Sequence, residues 1–112
     1  MEENKKIDIE AMKIITSSGD GRFLVMEALD FIAEFKNKEA TLKLKEAYEV
    51  IKYAHEVQTK VLQEVANDNK YEYSMLFSHA QDTLMTIYSE YNLALKLNII
   101  VKNIDDRINK VS

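Results

Sequence analysis

The chain has 112 residues and a mass of 13.0 kDa, which suits one domain and not two. It has no cysteine, which excludes a disulfide scaffold, a thiolate metal site and a cysteine nucleophile. It carries 15 basic and 19 acidic residues, a net charge of -4, which leaves no electrostatic footprint for nucleic acid or an anionic membrane. Proline is absent, and the two glycines, Gly19 and Gly21, sit together. A β-rich domain needs such residues for its turns, and a phosphate loop needs a glycine cluster, so the composition predicts an all-α protein. The opening MEENKKIDIE lacks the apolar stretch of a signal peptide. No apolar run approaches the ~20 residues of a membrane span, so no membrane insertion is expected.

Three long amphipathic segments follow one another. The first covers about 7–35, with Met12, Ile15, Gly19, Arg22 or Phe23, Met26, Leu29 and Ala33 at the spacing of one helix face. The run Ser17–Gly21 interrupts it, as a loop between two short helices or as a glycine-weakened stretch of one helix. The stripe keeps phase across the gap, which favours one helix. A helix-interior glycine costs about 1 kcal/mol against alanine and is kept where another backbone comes close. The second segment covers about 38–66, with Asn37 as its N-cap and FKNKE as the turn before it. Leu44, Ala47, Ile51, Ala54, Gln58, Val61 and Val65 alternate steps of three and four, a heptad seam that predicts shallow-angle helix packing. Asn67, Asp68 and Asn69 end it.

The third segment covers about 73–108, with a main stripe of Leu76, Ala80, Thr83, Ile87, Ala94, Leu97, Val101, Ile104 and Ile108. Short connections between long helices predict an antiparallel up-down-up three-helix bundle. The third helix has a second, offset stripe: Met75, His79, Asp82, Met85 or Thr86, Ser89, Leu93 and Ile100. It reads either as the edge of one broad stripe or as a face that needs a partner. The second reading implies self-association or a permanent partner along this helix.

The chain has two histidines, His55 and His79. No serine sits in a strand-to-helix elbow, so Ser–His–Asp chemistry is unsupported. Lys52 and Leu76 stand three residues before the histidines, which excludes Glu-x-x-His di-iron pairs, and zinc-type histidine pairs are absent. What remains is His79-Ala-Gln-Asp82, with His79 and Asp82 at i and i+3. One reading is a partly buried bundle histidine held by Asp82. The other is a phosphoryl acceptor, since a neutral imidazole can attack phosphorus with only positioning supplied around it.

The stretch SMLFSHAQDTLMT, residues 74–86, resembles the active-site segment of the enzyme IIA component of the lactose/cellobiose family of the phosphoenolpyruvate-dependent sugar phosphotransferase system, where the pattern is close to HAQDHLM. AHEVQT at 54–59 is similar to that family's AHxxQT, and GDGR and MEAL between Ala11 and Leu29 are similar to its GDAR and EAL. The resemblance spans about 10–104. It implies a homotrimer of three-helix subunits, with His79 phosphorylated by the phosphocarrier HPr. It implies transfer of the phosphoryl group to a cysteine of a separate IIB component. It also implies one divalent cation per trimer, held by three copies of Asp82, and oxygen ligands of this kind suit magnesium. Thr83 stands where the family often has histidine, and the turn between the first two helices lacks the family's usual glycine.

Other residues keep two readings. Gln81 contacts an incoming phosphoryl oxygen or faces solvent. Gln58 fixes register in the seam. His55 is structural or supporting, and the six tyrosines are core or interface residues. Met75, Phe77 or Ser78 should form a mildly apolar docking patch around His79. The function expected is a cytoplasmic phosphohistidine carrier of a sugar-uptake system. The alternative is a non-catalytic oligomeric helical adaptor or structural bundle. A two-component phosphotransfer domain is disfavoured, because its acceptor lies in His-x-x-Lys-Gly and here Asp82 and Thr83 hold the last two positions.

Overall fold

The computed structural model describes residues 2–67 and 74–111, with side chains from Lys5 onward. It has three helices: α1 (Glu2–Ala33), α2 (Asn37–Asn67) and α3 (Met75–Val111). They form a rod 66 Å long and about 19 Å across. Cross-helix pairs set the directions. Lys6 meets Glu64 and Lys43 meets Glu27, so α1 and α2 run antiparallel. Arg22 meets Glu90, and Asp8 meets Ser74, so α1 and α3 run parallel. The expected up-down-up bundle is present, and no described helix is long and apolar enough to cross a membrane. The expected stop at Asp68 and Asn69 and the start at Tyr73 lie outside the described residues.

The helix α1 runs through Ser17–Gly21 without a break. Its buried face is not the expected one. Ile7, Ala11, Ile14, Ser18, Gly21, Val25, Ala28 and Ile32 face the core, while Met12, Phe23 and Met26 are exposed, Phe23 by 66 %. The α1 sequence supports two apolar stripes, and the side with the smaller residues won. Gly21 shows the reason. A Cβ there would lie 2.9 Å from Ile51 Cγ1, so α2 packs against a surface that only glycine leaves open. Gly19 differs, since a Cβ there would meet nothing within 4 Å.

The α2 seam is close to the expected one. Leu44, Ala47, Ile51, Ala54 and Val61 are buried, but Val57 takes the core position and Gln58 is half-buried beside it. In α3, Phe77, Ala80, Leu84, Ile87, Tyr91, Ala94 and Asn98 face inward. Leu76 and Thr83 are half-buried, and Leu97, Ile104 and Ile108 are exposed rather than core.

Helix ends explain the placement of α3. Ser74 is its N-cap: the hydroxyl accepts from the Phe77 N–H at 3.0 Å and donates to Asp8 Oδ1 at 2.9 Å. The α1–α2 turn is a Schellman closure. The Lys36 N–H donates to the Phe31 carbonyl at 2.9 Å and the Phe35 N–H to that of Ile32 at 3.0 Å. Phe35 therefore occupies the left-handed position, φ 61°, that glycine normally fills. Asn37 does not cap with its side chain. The Lys36 carbonyl accepts the first α2 bond from Ala40, and Asn37 Nδ2 donates to Asn98 Oδ1 at 3.0 Å. Asn98 Nδ2 donates to Thr41 Oγ1 at 3.0 Å, so a small buried polar network ties α2 to α3.

Candidate functional site

The start of α3 sets the position of the histidine. With Ser74 fixed as cap, His79 lies in the second turn, and helical spacing puts Asp82, Thr83 and Thr86 on neighbouring positions of the same side. His79, Asp82, Thr83, Thr86 and Ile87 of α3, with Arg22 of α1, line a shallow solvent-open cleft of about 240 Å³. His79, Asp82 and Thr86 are exposed. The His79 imidazole makes no hydrogen bond or ion pair with another described side chain, and none joins it to Asp82. The partly buried, Asp82-held histidine is therefore not what the fold builds. Thr83 Oγ1 donates to the His79 carbonyl and Thr86 Oγ1 to the Asp82 carbonyl, both at 2.9 Å. These hydroxyls are spent on the helix itself.

The other histidine is in a different situation. His55 packs edge-on against Tyr88, with ring centroids 5.0 Å apart at 82°. Its Nε2 is buried and without a hydrogen-bond partner. Tyr88 stacks on Tyr91, which leans on Tyr48. Burial pushes the Tyr91 phenol up, and Tyr48 and Tyr88 add in the same direction. The buried Nε2 of this half-buried ring is turned away from an incoming group.

Gln81 falls on the other side of α3. Residues two apart on a helix do not face each other. Gln81 lines a separate cleft with Ile7, Leu62, Val65, Ser74, Phe77 and Ser78. Within one chain the structure separates it from His79. The docking patch around His79 is likewise narrower than expected. Met75 is 78 % exposed and Ser78 half-buried, but Phe77 belongs to the core. Sequence reasoning left Arg22 without a role. Its Nη2 donates to Glu90 Oε2 at 2.7 Å, and Glu90 Oε1 is buried without a partner. The available signal is the arginine that ends the GDGR match at 19–22.

The second stripe of α3 is uncovered along its length. Met75, Met85, Leu93 and Ile100 are exposed, Leu93 by 64 %. The described residues contain no group of three metal-ligating side chains, so one chain offers a cation only the single Asp82 carboxylate on this face.

The model of the lactose/cellobiose-specific IIA subunit of the phosphotransferase system matches residues 10–102. The lichenan-specific phosphotransferase enzyme IIA component of Bacillus subtilis is 31 % identical over 104 residues, 93 % of this chain and 94 % of that protein. The solved cellobiose-specific enzyme IIA of Bacillus anthracis superposes with a TM-score of 0.83 at 34 % identity, covering 89 % of this chain and 92 % of its own. The IIA(chitobiose) of Escherichia coli, solved in complex with HPr, gives 0.78 at 26 % identity, covering 88 % and 96 %. A match over most of the chain in sequence and in fold leaves one conclusion: this chain belongs to the lactose/cellobiose-specific IIA family, the phosphotransferase components of sugar phosphotransferase systems.

Proposed function

We propose that the chain is a cytoplasmic phosphohistidine carrier, with His79 as the acceptor. The observation that carries this is the contrast between the two histidines: His79 is exposed and unbonded on an open cleft, and His55 is half-buried with its Nε2 buried and its ring edge-on against Tyr88. The donor is HPr, in keeping with the relative solved as an HPr complex. The recipient is a cysteine of a IIB component. In the first step the N–P bond of the donor phosphohistidine breaks as an N–P bond to His79 forms. The donor imidazole leaves with the bonding pair. Each imidazole keeps the proton on its other nitrogen, so no outside acid or base is needed. In the second step the thiolate attacks phosphorus and His79 leaves.

A shallow site suits this task. The same phosphoryl group is received and given, so two partners must reach one nitrogen in turn. Such exchange complexes are small, below about 1,200 Å² of buried surface. A charge at Met75 is expected to slow both transfers together.

The reading includes a trimer built on the second stripe of α3. Parallel association about an axis brings three Asp82 carboxylates together, where like charges repel and desolvation costs several kcal/mol each. A hard divalent cation with oxygen ligands, magnesium by its chemistry, offsets both costs. Its part is assembly, and no step of phosphoryl transfer passes through it. Gln81, separated from His79 within one chain, meets a phosphoryl group only from a neighbouring subunit.

The deciding experiment is incubation of wild type, His79→Ala and His55→Ala with phosphoenolpyruvate, enzyme I and HPr. The expected result is acid-labile, alkali-stable phosphate on wild type and His55→Ala, and none on a fully helical His79→Ala. Phosphate on His79→Ala at the normal rate would overturn the assignment. No phosphate on wild type would leave the helical adaptor in its place.

A further inference from the structure

The cleft beside His79 has an electrostatic problem. Of its lining residues, Asp82 is acidic and sits one turn from the histidine, and one divalent cation shared by three such carboxylates does not fully offset their charge. A phosphoryl group adds a charge of about -2 to the same space. The Thr83 and Thr86 hydroxyls do not offset it, because both are engaged with backbone carbonyls. Arg22 is the one cationic side chain lining the cleft.

Arg22 is also held in place. One N–H of its guanidinium donates to Glu90 at 2.7 Å, and its other donors have no partner among the described residues. Glu90 lies three helical turns after His79 on the same face of α3. Side chains on a helix lean toward its amino terminus. Because α1 and α3 run parallel, Arg22 and Glu90 both lean back toward the His79 end of the cleft. Glu90 grips one edge of the guanidinium, and Arg22 lines the cleft with its other donors unpaired among the described residues. A planar fork with free N–H groups is the side-chain geometry that matches phosphate oxygens.

We propose that Arg22 binds the phosphoryl group carried by His79, and that Glu90 is the positioning residue that aims it. The inference rests on His79 as the acceptor. It adds a second functional side chain, on a different helix, and makes the site a two-helix construction. The role is electrostatic: Arg22 stabilises the charge on the equatorial oxygens as phosphorus moves between nitrogens, and stabilises the phosphorylated state afterwards.

The test measures phosphoryl transfer from purified phospho-HPr, in rate and in final equilibrium, for wild type, Arg22→Gln, Arg22→Lys, Glu90→Gln and the double variant, with His79→Ala as control. Arg22→Gln should slow transfer by roughly ten- to a hundredfold, the low end for loss of a charged donor because the cleft is open to solvent. The equilibrium should move toward phospho-HPr, with melting temperature and helicity unchanged. Arg22→Lys should recover part of both losses. Glu90→Gln should lose less than Arg22→Gln, and nothing further when Arg22 is already Gln. A purely structural pair would move the melting temperature and leave the transfer equilibrium alone. Wild-type transfer in Arg22→Gln, with none in His79→Ala, overturns this inference and keeps the acceptor. Transfer to His79→Ala overturns both.

Discussion

The outward line of α3 has two unlike halves. From Met75 to Ser89 it carries His79, Asp82 and Thr86, and from Leu93 to Val111 it carries Leu93, Leu97, Ile100, Ile104, Ile108 and Val111. The line advances ten steps in 36 residues, 3.6 per step, which is the period of a straight helix and needs no supercoil. Both halves are exposed in the single chain. Polar groups gain little from leaving water, whereas a contiguous apolar face of this extent marks an interaction surface. On the proposed reading, phosphoryl chemistry and the means of association lie on one helix face, one after the other. Each half has its own anchor to the bundle: Ser74 and Asp8 at the start, Asn98 with Asn37 and Thr41 toward the end.

The largest effect should come from breaking the apolar half. Ile100→Asp places three charges on the proposed axis at a cost of several kcal/mol each. Sedimentation should show trimeric wild type and monomeric Ile100→Asp at micromolar concentration. The monomer should still accept phosphate on His79 if the two halves are independent. Asp82→Leu makes the polar half resemble the apolar one. Its trimer should survive chelation, whereas that of the wild type should loosen. A wild-type monomer, or a wild-type trimer indifferent to chelator, counts against the shared cation.

The anchors come next. Asn98→Ala leaves Asn37 and Thr41 without their partner and should lower unfolding stability by about 2 kcal/mol, read from denaturant titration at fixed protein concentration. Ser74→Ala removes the cap of the site-bearing half and should cost about 1 kcal/mol while slowing phosphorylation only slightly. The smallest effects concern α1. Gly19→Ala gains about 1 kcal/mol in the single chain, because its Cβ enters open space. Gly21→Ala gains less or loses, because Ile51 must shift. A loss of association in Gly19→Ala would extend the apolar docking line onto α1.

Much of this was legible in residue order alone. Absent proline and three long periodic segments demand helices, and short turns between them demand antiparallel neighbours. The α2 seam was readable because that helix has one apolar stripe. His79 stood out as the candidate acceptor because the chain offers only two imidazoles and one of them sits in HAQD. The core face of α1 was not. That helix carries two apolar stripes in competing phase, and periodicity counts side chains without knowing which helix surface α2 can approach. Only the packed bundle decides that Gly21 must touch Ile51 while Phe23 stays in water.

The cleft shows the same division. Its α3 members follow from helical spacing, so His79, Asp82 and Thr86 were bound to share a side once α3 existed. The separation of Gln81 from His79 follows from the same spacing. Arg22 lies 57 positions before His79 in the chain, and no local pattern joins them. It reaches the cleft because α1 and α3 run parallel and Glu90 holds it there. The capping of α3 by Ser74 is local, but the Asp8 carboxylate that fixes Ser74 comes from a distant helix. Periodicity and turn chemistry act over a few residues, so order along the chain determines elements and their caps. Close approach and ion pairing act through space, so the choice of faces and the second side of the site belong to the tertiary structure.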